Sequence, residues 1–209
     1  RMLADEPLDL DPFSNFVTRS FDKMYLTEGG VDYEPDPQMS IAAIAKRTQR
    51  APQHIAYDAL TSGMLYFPLF NYADGNLDLL HELHSHPHTL MGLSDAGAHC
   101  GAICDGGMPT FMLSFWARDR KRGPTLPLEH VIRRQTRDTA VAFGLCDRGV
   151  IAPGMKADLN LIDFDALELG RPEIAYDLPA GGRRLLQRAS GYVATICSGE
   201  VILENDVST

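Results

Sequence analysis

The sequence predicts an α/β fold that gives way to an all-β tail. Over residues 1–146, helical stripes with apolar residues at i, i+3 and i+4 alternate with short apolar runs. Those runs are unbroken rather than alternating, the pattern of strands covered on both faces of a parallel sheet. From residue 147 the texture changes to alternating strands separated by Pro-Gly and Ser-Gly turns. Two regions follow, 1–146 and 147–209, with no internal repeat and no low-complexity tract.

Residues 1–37 are acidic and weakly patterned, and predict a long connection with one or two short elements. In residues 38–62, Ser40 is a candidate cap, and Ile41, Ile44 and Ala45 begin a helical stripe. Pro52 is placed to open a second short helix ending near Gly63. The run 64–72 (MLYFPLFNY) reads as a buried strand interrupted by Pro68. Residues 76–86 predict a helix from Leu77, Leu80 and Leu83, ended by Pro87, and 89–93 (TLMGL) a second short strand. Helices are predicted over Pro109–Arg122, which carries the single Trp116, and over Pro127–Phe143, ended by Gly144. The tail predicts a turn at Pro153-Gly154 and a hairpin at Ser198-Gly199.

Composition narrows the functional classes. Of 209 residues, 44% are hydrophobic and 22% charged, an ordinary globular balance. Nineteen Lys and Arg against 28 Asp and Glu give a net charge of −9, which argues against nucleic acid as a partner. The basic runs Arg118–Arg122 and Arg133–Arg137 read as solvated helix faces. No apolar run nears the ~20 residues of a membrane span, and the opening RMLADEPLDLD lacks the apolar core of a signal peptide, so no membrane partner is expected. Cys100, Cys104, Cys146 and Cys197 fit neither a zinc ribbon nor a disulfide framework, which predicts reduced thiols and a cytoplasmic protein.

The stretch LMGLSDAGAHC, residues 90–100, carries the chemistry. Functional groups in parallel α/β folds sit at the carboxyl ends of strands. Asp95 stands just past the apolar run 89–93, Gly97 permits a sharp turn, and His99 lies on the same loop. A carboxylate held there suits a general base. From spacing alone, Ser94-Asp95 capping the next turn explains the same residues.

LMGLSDAGAH, the later helix PLEHVIRRQTRDTAVAFGL and the run DRGVIAPGMKADLNLIDFDAL together resemble the C-terminal half of the metal-dependent amidohydrolase superfamily, within it the N-acyl-D-amino-acid deacylase (D-aminoacylase) family. The likeness runs from about residue 38 to 203. It implies the C-terminal part of a (β/α)8 TIM-like barrel plus strands of a small β-sandwich, and one or two zinc ions at the barrel mouth. Asp95 is then the aspartate ending the eighth strand, a proton shuttle in the deacylases and a metal contact in binuclear relatives. The remaining zinc ligands would lie upstream of this chain. The substrate implied is a small N-acyl amino acid.

Further candidates are His99, Asn71 and Tyr72 for substrate binding, the last two at the end of the presumed seventh strand. His86-x-His88 imitates the superfamily's metal motif but precedes strand 89–93. At about 3.3 Å per extended residue it lies up to about 20 Å from Asp95, toward the other end of the barrel. The cluster His81, His84, His86 and His88 therefore reads as a solvated helix end. His54 and His130 read as structural, and Cys100 and Cys104 as small packed residues.

A closed barrel needs about 250 residues, so the chain resembles the C-terminal portion of a larger enzyme, expected to be inactive alone. Open strand edges would favour a homo-oligomer through the exposed barrel edge. A cyclic-amide hydrolase of hydantoinase or dihydroorotase type, and a non-catalytic binding or assembly fragment, remain alternative readings.

Overall fold

The computed structural model describes residues 9–69, 72, 74–92, 94–97 and 99–209. The chain forms two compact units, residues 1–80 and 81–209.

In the first unit, α1 (Pro12–Arg19) is capped by Asp11, whose carboxylate accepts from the backbone N–H groups of Phe13 and Ser14. Ser40 caps α2 (Ile41–Thr48) as its sequence predicts, its Oγ accepting from Ala43 N at 3.2 Å. Gln49 closes α2 in the left-handed region, and Pro52 opens α3 (Pro52–Ser62). These helices bury Ile41, Ala45, Ile55 and Ala56 against Met24, with Phe21, Leu26, Leu65 and Phe67 packed around them. A two-stranded antiparallel ribbon, β1 (Tyr25–Leu26) with β2 (Leu65–Tyr66), edges this core.

Helix α4 (Asp78–Ser85) leads into the second unit. Two longer helical stretches follow. α5 (Met108–Phe111) continues into a π-helical stretch, Met112–Asp119; α6 (Leu128–Arg133) continues through π-helical Arg134–Asp138 into α7 (Thr139–Ala142). Trp116, Val131, Leu126, Met112 and Leu113 form their buried seam. β3 (Leu159–Ile162), β4 (Glu168–Leu169), β5 (Glu173–Leu178), β6 (Gly182–Leu186), β7 (Ala189–Ser190), β8 (Tyr192–Cys197), β9 (Glu200–Glu204) and β10 (Val207–Ser208) make the tail. They pair as a four-stranded sheet in the order β10-β9-β8-β3 and two ribbons, β4 with β7 and β5 with β6. The hairpin between β8 and β9 turns at Ser198 and Gly199, both at positive φ, as a two-residue turn of this kind requires.

One expectation is corrected. Among the described residues, 64–69 and 89–92 do not form neighbouring parallel strands. Of these, Leu65–Tyr66 is a strand, paired antiparallel, and Thr89–Gly92 joins no ladder; every pairing among the described residues is antiparallel. Pro68 has no N–H to give a ladder, and a parallel stave gains hydrogen bonds only beside other staves. The mixed helix and strand character holds. The compact units divide at Leu80/His81. The helix carrying Trp116 is bolted to the β-rich tail: Thr110 and Tyr192 share a 2.8 Å hydroxyl hydrogen bond, and Arg118 donates to the carbonyls of Phe164 and Leu167.

Candidate active-site loop

Residues 86–92 run from α4 toward the loop that carries Asp95. Arg134, buried in the π-helical turn, fixes this run, donating to the carbonyls of His86 at 2.6 Å and Thr89 at 2.8 Å. Bonds from a guanidinium to buried carbonyls are among the stronger ones a fold makes.

The loop then bends twice. Gly97 sits at φ 100°, a region open to glycine, and His99 at φ 49°. The His99 carbonyl accepts from Ala102 N and Ile103 N at 2.8 and 3.0 Å, closing a tight turn. The Cys100 carbonyl accepts from Leu185 N at 2.6 Å, which pins the loop to β6. At the far end Gly107 is wedged against β4: a Cβ there would lie 2.5 Å from Leu169 Cδ1.

This folding-back sets Asp105 beside Asp95. The next residues touch, a Cβ on Gly106 lying 3.6 Å from that of Ala96. Asp105 is exposed as a residue, but loss of water at its carboxyl, and then the Asp95 charge, raise its proton affinity above the usual aspartate range. Cys104 follows the same logic: burial and then Asp105 push its thiol up, which keeps it protonated and a poor nucleophile. The loop thus presents an exposed carboxylate, Asp95, with a second carboxyl of raised proton affinity, Asp105, beside it. Such a pair can take a proton and return it.

Among the candidates, Asp95 and His99 are both exposed on this loop. Tyr72 belongs to the first unit, buried, its hydroxyl facing the carbonyls of Pro35 and of Gly75, the latter at 3.0 Å. Asn71 lies outside the described residues. Asp105 went unread as a site residue, since its placement depends on the contact at Gly107 and not on local spacing. The histidine run is only half a solvated end. His86 and His88 are exposed, but His84 packs edge-on to Trp116 with centroids 5.3 Å apart. His130 donates from Nε2 to the His84 carbonyl at 2.9 Å.

No group of three or more His, Cys, Asp and Glu side chains able to hold a metal ion exists among the described residues. Asp95 and Asp105 offer two carboxylates at most, so these residues do not by themselves fit a zinc site. A cavity of about 480 Å³ opens in the first unit beside Arg19, Ala45, Lys46 and Arg50. It contains none of the candidate residues, and Arg50 is paired with Asp58 at 2.5 Å. The chemistry-bearing groups lie on the Asp95 loop, which we take as the site. No helix among the described residues is long and apolar enough to cross a membrane.

Residues 30–203 match the profile of the amidohydrolase family. The chain belongs to the amidohydrolase family. This amidohydrolase chain has no significant match among curated proteins. A solved D-aminoacylase structure, described as defining a novel subset of amidohydrolases, is similar to it at 21% identity with a TM-score of 0.45, over 89% of this chain. The amidohydrolase chain spans 35% of the length of that structure.

Proposed function

We propose that this amidohydrolase chain supplies the proton-relay carboxylate of an enzyme that hydrolyses the amide bond of N-acyl-D-amino acids. The exposed Asp95, carried on a loop pinned by Arg134 at one end and by β6 and β4 at the other, is the observation that supports this reading. Rigid support of that kind is what a catalytic group needs.

In the proposed step a water oxygen bonds to the acyl carbon as Asp95 takes its proton. The C–N bond then breaks as Asp95 passes that proton to the departing amine. The products are the carboxylic acid and the free amino acid. Proton transfer of this type contributes about 10²–10⁴-fold to rate. Asp105, whose proton affinity is raised by lost hydration and by the Asp95 charge, stands beside the relay. The activity is assigned to a longer cytoplasmic polypeptide, with the remaining barrel staves and any zinc ligands supplied by residues beyond this chain.

Turnover by the natural full-length protein tests the substrate class. Faster release of amino acid from N-acetyl-D-amino acids than from their L-isomers is expected. Hydrolysis of hydantoins in preference to both would replace the linear-amide reading with a cyclic one.

A further inference from the structure

Trp116 is the only tryptophan of the chain and is 1% exposed. Two histidines and an arginine meet its ring. His84, on α4, meets the indole edge-on, and His81, a turn earlier, lies at 6.3 Å between centroids. The Arg120 guanidinium sits 4.9 Å over the same ring. His130, on α6, donates from Nε2 to the His84 carbonyl, and His81 Nε2 donates to Thr125 O at 3.3 Å; a carbonyl only accepts, so both nitrogens carry hydrogen. Arg134, in the turn after α6, also acts on His84.

The groups facing His84 are thus His81 on its own helix, His130 and Arg134 from the α6 side, and Arg120 across the indole. All are cations when charged. The Asp138 carboxylate, which pairs with Arg134 at 3.6 Å, is also engaged by Arg133 at 2.9 Å. Burial first, and then His130, His81 and Arg134, hold the His84 imidazole below its ordinary value, so it is neutral at pH 7.

We propose that the junction of α4, Trp116 and α6 is an acid-sensitive latch, which lets go when His84, packed against the indole, takes up a proton, and so frees residues 86–92, the run that leads to Asp95. The sign follows from linkage. The unfolded imidazole titrates near 6.5 and the folded one lower, so between those values the unfolded state binds more protons. The junction is held fully above about 6.5 and weakens as pH falls through that window. The Arg134 bonds to His86 and Thr89 are strained by the rising charge at His84.

Trp116 emission, followed from pH 8 to 4.5 on the intact chain, reads the latch directly. The expected result is a reversible change with its midpoint below 6.5 at constant far-UV circular dichroism, together with faster amide exchange at residues 86–92. His84→Phe, which keeps a ring against the indole, abolishes the change, and His130→Gln moves the midpoint upward because a like charge is gone. A flat emission profile, a transition unaltered by His84→Phe, or global unfolding in the same window overturns the proposal. If His84→Phe does not fold, the His84 ring-proton titration by NMR decides on the wild-type chain: a midpoint at or above 6.5 overturns it as well.

Discussion

Asp95 and Asp105 share one folded-back loop, and the charge of Asp95 adds to lost hydration in raising the proton affinity of Asp105. A carboxyl of raised proton affinity thus stands beside the candidate relay carboxylate.

The raised proton affinity of Asp105 has a thermodynamic signature. Because Asp105 is raised above its unfolded value of 3.8, the native state binds more protons than the unfolded state between 3.8 and the raised value. Stability contributed by this group therefore falls as pH rises through that window. Asp11, Asp147, Asp158 and Asp177 are held low by hydrogen bonds and favour the opposite slope, but do so in wild type and variant alike. Urea midpoints between pH 3.5 and 6 should rise more steeply with pH in Asp105→Asn than in wild type. Identical slopes would show that the two carboxyls do not interact.

Arg134 holds the approach to the site, and Arg134→Met should show it. The substitution fills similar space but leaves the His86 and Thr89 carbonyls without their donor. The expected cost is about 2–4 kcal/mol by urea unfolding, from the loss of two charge-assisted bonds. Local exchange at residues 86–92 should rise by more than in variants elsewhere. A loss below about 0.5 kcal/mol would mean that solvent replaces the guanidinium at no cost.

The core of the first unit makes a simpler case. Ile41 is fully buried and faces Met24 and Ile55. Ile41→Ala should cost about 2–5 kcal/mol, and Ser40→Ala, which removes only the cap of α2, about 0.5–2 kcal/mol. Thermal midpoints should rank wild type, Ser40→Ala, Ile41→Ala from highest to lowest. The reverse order of the two variants would contradict the packing described.

What could be read from sequence was local. The Ser40 cap, the Pro52 helix start and the Ser198-Gly199 turn each depend on a few adjacent residues, and each is found where expected. The runs 64–72 and 89–93 suggest parallel staves, but a stave is defined by its neighbours, and here Leu65–Tyr66 has an antiparallel partner in Tyr25–Leu26. A change of texture near residue 147 is visible in sequence, whereas the Arg118 bonds that join helix to tail across that point are not. In the site, Asp95 was legible because an apolar run ends there. Asp105 and the burial of His84 were not, because a glycine wedge at 107 and an indole from another helix create them.

The central claim is that Asp95 moves the proton in amide hydrolysis, and Asp95→Asn in the natural full-length protein tests it most directly. Asparagine keeps the size and the hydrogen-bonding shape but cannot accept the proton. The account predicts a fall in kcat/KM of about 10²–10⁴-fold on N-acetyl-D-amino acids with the fold unchanged by circular dichroism. Activity retained within about tenfold, a barrier change of no more than about 1.4 kcal/mol, would contradict it.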